Sequence, residues 1–172
     1  MNDVKQFKLQ LVQLLPKLRR FAGALTRNMD DADELVQMAC ERAILKSDQW
    51  SEGTRLDRWV YTLMRNLWIS ELRKRKVRLG QGQVEAEDQA ELHSEPMAED
   101  QVYAGQIGQA IHDLPESLRS VTLLVCVEEN SYREAAEILD VPIRTVMSRL
   151  SRARLQLAEA LREAPDMQTA VE

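Results

Sequence analysis

The 172 residues predict an all-α protein of two small helical domains joined by a flexible acidic linker. Residues that favour helix dominate, and no stretch alternates strictly between apolar and polar side chains between turn residues, so a sheet has no support. A segment rich in Gly, Glu and Asp and free of aromatics separates two halves that carry helical apolar stripes. The stretch Ser131 to Arg154, SYREAAEILDVPIRTVMSRLSRAR, has the form of a helix, a tight turn and a second helix.

In that stretch Ala135 and Ala136 are small enough for a second helix to cross closely, and Leu139, Val141, Val146 and Leu150 are spaced to close a small core. Pro142 suits the first turn of the new helix, where a missing N–H costs nothing. Asp140 occupies the turn, where a left-handed backbone favours Gly. The second helix carries Arg144, Arg149 and Arg152, with no acidic residue between Ile143 and Arg154, which is how a DNA-reading helix is built.

With 44% hydrophobic and 30% charged residues the composition is that of a globular protein in water. The N-terminal MNDVKQFKLQ resembles neither a signal peptide nor a membrane span, and a cytoplasmic location is expected. Cys40 and Cys126 have no metal-spaced neighbours and are expected to be buried thiols. The net charge of −5 is unevenly sorted. Residues 1–78 carry 16 basic and 10 acidic side chains, residues 79–101 none and seven, and residues 102–172 seven and 11. DNA affinity depends on the local face, so an acidic total does not exclude it.

Taken in order, Val4 to Leu25 carries a helical stripe interrupted at Pro16, which predicts two helices with Pro16 opening the second. Asp30 and Asp31 are placed to cap DADELVQMACERAIL, whose apolar face is Leu35, Val36, Ala39, Ala43 and Ile44 and whose other side is polar. A long helix from about Thr54 to Arg75 buries Leu56, Val60, Leu63 and Leu67 and ends in the basic run Arg73 to Arg78. That run suits phosphate, and equally suits a helix C-terminus. Trp59 and Trp68 are open to a core role or a base-stacking one. Residues 79–98 form the linker, able to stretch to roughly 60 Å. Helices follow from Val102 to His112 and from Pro115 through VTLLVCV, the last helix runs to about Glu163, and residues 164–172 form a fraying tail. The expected domains are therefore 1–78 and 99–163.

Four blocks, DADELVQ, RLDRWVYTLMRNLWISELRKRK, LPESLRSVTLLVCVEENSYREAAEIL and VPIRTVMSRLSRARLQL, resemble in order and spacing an extracytoplasmic-function sigma factor of the sigma-70 superfamily, over about residues 10–162. The resemblance implies a polymerase initiation factor that keeps only regions 2 and 4. It implies core-polymerase binding by Asp33, Glu34, Leu35, Val36 and Gln37, and capture of the minus-10 strand by Arg65, Asn66, Trp68, Arg73 and Arg75. In the minus-35 element it implies base contacts by Ser148, Arg149 and Arg152 and phosphate contacts by Arg144, Thr145 and Arg154. Two departures stand out: Arg144 replaces the usual Gly, and Met147 replaces the commonest residue, Lys. The partners implied are core RNA polymerase, promoter DNA and an anti-sigma factor, with no membrane insertion, small-molecule substrate, cofactor or metal.

Two other functions fit part of the chain. A polymerase-independent helix-turn-helix regulator leaves the first unit unexplained, and a sigma-like protein that sequesters an anti-sigma factor predicts loss of the basic face, which is retained. An enzyme is disfavoured: His93 lies in the linker, His112 stands alone, and no nucleophile motif, carboxylate pair or glycine-rich phosphate loop is present.

Overall fold

The computed structural model describes residues 4–80 and 105–163, so most of the expected linker, residues 102–104 of the helix expected from Val102 to His112 and the whole tail lie outside the described residues. Among the described residues there are seven α-helices and no strand.

The first helix, α1 (Val4–Thr26), runs through Pro16 without a break, contrary to the expected pair. Proline removes one helical hydrogen bond, to the carbonyl of Val12. Both residues are exposed, on the solvent side of the helix, while Phe7 and Leu11 before the proline and Leu18, Phe21, Ala22 and Leu25 after it share one buried face. The cap of α2 (Met29–Leu45) is Asn28, not the two aspartates: its Oδ1 accepts from the Asp30 and Asp31 amides at 2.9 and 3.1 Å. The aspartates instead fill the first turn, where the helix dipole favours them.

The expected basic run is the last turn and a half of α3 (Leu56–Arg78). Its buried line is Leu56, Val60, Tyr61, Met64 and Trp68; Leu63 and Leu67 are only partly covered. The helix packs on α1 and α2 and, on another side, on the helix-turn-helix, so its buried stripe is broader than one neighbour requires. Tyr61 lies against Phe21 with ring centroids 4.9 Å apart.

In the second unit, α4 (Gln106–His112) and α5 (Glu116–Thr122) lead into a single π turn at Leu123–Val127, closed by the Glu128 amide donating to the Leu123 carbonyl at 2.9 Å. Cys126 on this turn is exposed and Cys40 partly so; neither is the buried thiol expected. The helix α6 (Tyr132–Leu139) opens with a reciprocal capping box, Ser131 Oγ accepting from the Glu134 amide and Glu134 Oε2 accepting from the Ser131 amide. Asp140 then adopts the left-handed conformation, φ 52° and ψ 50°, that the turn demands, and the Val141 amide donates back to the Ala136 carbonyl. This turns the chain into α7 (Ile143–Glu163).

Most of the buried side chains of the two units form one apolar cluster, from Phe7 through Tyr61 and Leu124 to Leu150, and Leu114, Leu118 and Ala153 form a smaller second one. The small core expected within the helix-turn-helix is thus part of a larger one.

Candidate nucleic-acid and polymerase interfaces

Val146, Leu150 and Ala153 hold α7 on the core, which turns the opposite side to solvent. Arg144, Ser148, Arg152 and Arg154 are exposed there, and Thr145 and Arg149 are partly covered. Ser148 Oγ donates to the Thr145 carbonyl at 3.1 Å. Among the described residues no carboxylate oxygen lies within 4.0 Å of the guanidiniums of Arg144, Arg149, Arg152 or Arg154, though the Arg149 charge acts on the Glu116 carboxyl. Such a surface is fit for phosphates and guanine edges.

On α3 the structure divides the expected minus-10 set. Asn66 and Arg73 are exposed. Arg65 is half-buried, with Nη1 3.3 Å from Asn66 Oδ1 and 3.6 Å from Asp140 Oδ2 of the helix-turn-helix. Trp68 is 8% exposed and belongs to the core, so it has no free face on which a base can stack. Arg75 covers it, its guanidinium carbon 5.2 Å from the ring centroid. The same guanidinium grips both Asp31 oxygens at 2.7 and 3.0 Å, and its Nε donates to Glu71 at 3.2 Å. Trp68 and Arg75 therefore clamp the end of α3 to the start of α2; the basic run alone does not show which of its cations is committed inside the protein.

The expected polymerase-docking set divides in the same way. Asp33, Glu34 and Gln37 are exposed along α2, but Leu35 is fully buried and Val36 7% exposed, because they form the apolar face that holds the helix down. Sequence reasoning missed the continuation of this surface. A cleft of about 400 Å³ lies one turn on, between α2 and α3, lined by Met38, Glu41, Arg42, Leu45, Lys46 and Leu67. Leu45 is 80% exposed beside it, the one signal of a sticky rim that the helical pattern contains.

The two units meet through a chain of charges. Arg20 binds Glu128 Oε1 through Nε at 2.8 Å and Nη2 at 2.7 Å, and Lys17 stands 4.0 Å from Glu128 and 3.9 Å from Asp57. Asp57 takes both nitrogens of the Arg55 fork. Burial alone raises the Asp57 pKa, but the Arg55 hydrogen bond and charge overcome this and hold the carboxyl below its ordinary range. Glu134 faces Arg58 at 3.3 Å and Arg55 at 3.7 Å while it caps α6. Farther along, Arg27 and the buried Arg119 both donate to the Leu114 carbonyl, at 2.6 and 2.8 Å, and Arg119 Nε donates to the Ala24 carbonyl at 2.8 Å.

A helix with an acidic exposed side, a helix beside it that ends in a basic run, and a helix-turn-helix with an arginine-lined second helix define a two-unit factor of the sigma-70 type. The family models described as the Sigma2 domain of PhyR and Sigma-70, region 4 match residues 11–65 and 104–157. The chain is similar to the ECF RNA polymerase sigma factor EcfG of Rhodopseudomonas palustris, 34% identical over 154 residues that cover 88% of this chain and 82% of that one. It is 29% identical to the sigma factor SigW of Bacillus subtilis, over 86% of this chain and 84% of the relative. The solved structure of the sigma factor RpoE in complex with the anti-sigma factor NepR from Bartonella quintana matches with a TM-score of 0.71 and 32% identity, covering 92% and 98% of the two chains. The chain belongs to the extracytoplasmic-function sigma factors.

Proposed function

We propose that this sigma factor works in the cytoplasm as a non-catalytic specificity subunit, directing core RNA polymerase to promoters through three surfaces. Asp33, Glu34 and Gln37 of α2, with the adjoining cleft, dock on polymerase. Arg65, Asn66 and Arg73 of α3 take the opened minus-10 strand, where a polar edge reads an extruded base and cations hold its phosphates. The α7 row, Arg144, Thr145, Ser148, Arg149, Arg152 and Arg154, enters the major groove of the minus-35 element. The observation that carries the reading is that row of guanidiniums along α7, in a chain whose likeness to sigma factors runs through both units.

The closed packing supports regulation by an anti-sigma factor. The helix α3 packs on α6, and Arg65 faces the exposed Asp140 at 3.6 Å, so the minus-10 face lies against the helix-turn-helix. A partner that grips both units keeps them so, and release frees them to reach two promoter elements at once. The division into units 1–78 and 99–163 joined by residues 79–98 belongs to this reading.

Run-off transcription with purified core polymerase tests it: promoter-specific product is expected, and a purified anti-sigma partner should suppress it. The competing reading, a mimic that only sequesters an anti-sigma factor, draws on the match of residues 11–65 to the PhyR domain. Binding of the partner with no transcript from any promoter would favour it.

A further inference from the structure

The first two turns of α7 carry an apolar pair where a DNA-facing helix has most reason to be polar. Ile143 is 45% exposed and Met147, one turn later, 51%. With about 100° between successive residues, the buried line of Val146, Leu150 and Ala153 sets Arg144, Ser148 and Ser151 opposite the core. Met147 then lies on one flank of that outer face, and Thr145 and Arg152 on the other.

Two of the three residues opposite the core are serines, so the helix axis can come close to a groove floor and bring both flanks to base edges. Arg152 offers donors on its side. Met147 offers none: a flexible, polarisable thioether makes only apolar contact. The single apolar feature that a base edge shows in the major groove is the C5-methyl group of thymine.

We propose that Met147, supported by Ile143, is a specificity-determining residue that selects thymine in the upstream element by packing on its methyl group. This rests on the placement of α7 in the major groove.

The test uses holoenzyme reconstituted from the full chain and duplexes recovered from a binding selection, with each thymine of the upstream element replaced in turn by deoxyuracil, which removes only the methyl. At one position the replacement should weaken binding of the wild type by about 4-fold, the effect of one buried methyl group, and should leave Met147→Ala binding unchanged. Met147 is exposed, so the variant should fold, as a circular dichroism melt will show. If no methyl removal matters to the wild type, or Met147→Ala keeps the sensitivity, the proposal falls. Arg152→Ala separates the two levels: loss of affinity there, alongside indifference to every methyl, leaves α7 in the groove and overturns only the role of Met147. Indifference to Arg152→Ala as well overturns both.

Discussion

Arg20 of α1 reaches across the molecule to Glu128, at the end of the π turn, at 2.7 Å, and the carboxylate it holds is 2% exposed. A buried carboxylate is tolerable only with its cations in place, and here all of them come from the first unit: Arg20 and, at the edge, Lys17. The pair therefore reports whether the units are docked. Replacing it by an apolar pair of similar volume need not loosen them, but removing one partner must.

Glu128→Ala should accordingly weaken the closed arrangement by about 3 kcal/mol, since it leaves the Arg20 charge without its partner. Small-angle scattering of the free protein would then show a larger radius of gyration. An unchanged radius and an unchanged melting temperature would mean that the apolar cluster alone holds the units.

Trp68 and Asn66 should separate stability from function. Truncating the core residue, Trp68→Ala, should cost about 3–5 kcal/mol and lower the melting temperature. Asn66→Ala touches an exposed side chain and should leave the melt alone while slowing promoter opening more than closed-complex binding. Opening kinetics identical to wild type would return Asn66 to the ordinary surface.

Arg152→Ala and Arg149→Ala should each weaken binding to the upstream element by about 1–3 kcal/mol and relax its sequence preference. Arg154→Ala, as a phosphate contact, should weaken all sequences alike and flatten the salt dependence. Binding selections at two salt concentrations distinguish these outcomes.

Acid should loosen the junction at His112. Burial, and then the Arg119 guanidinium, push its pKa below the ordinary 6.5. As pH falls through 6.5 the unfolded chain takes up a proton that the folded one refuses, so stability declines until the folded pKa is passed. His112→Gln should flatten the melting temperature between about pH 7 and pH 5; an equal slope in wild type and variant would show that His112 does not set it.

Ser131→Ala should cost about 1 kcal/mol, the usual effect of losing an N-cap. The S-x-x-E spacing made this cap legible in the sequence. Glu134 is less simple, because it also faces Arg55 and Arg58, so Glu134→Gln should loosen the units as well as the helix start. Thermal melts of both variants, with scattering for the second, check the difference.

By itself the sequence determined the all-helical class, the order of the helices, the left-handed turn at Asp140 and the arginine row of α7, because periodicity, turn chemistry and the absence of acids act within a few residues of chain. Tertiary structure decided which side of each helix those residues serve. Trp68 and Arg75 carry the residue types of a DNA-binding surface, yet neighbours cover or claim them, while Leu35 and Val36 already lie on the apolar face that the periodicity predicts. Pro16 reads as a helix boundary until a shared buried face holds both halves in line. The pairing of Arg20 with Glu128, separated by 108 residues, leaves no local mark at all: a charge shows its sign in the sequence, but its partner is chosen by packing.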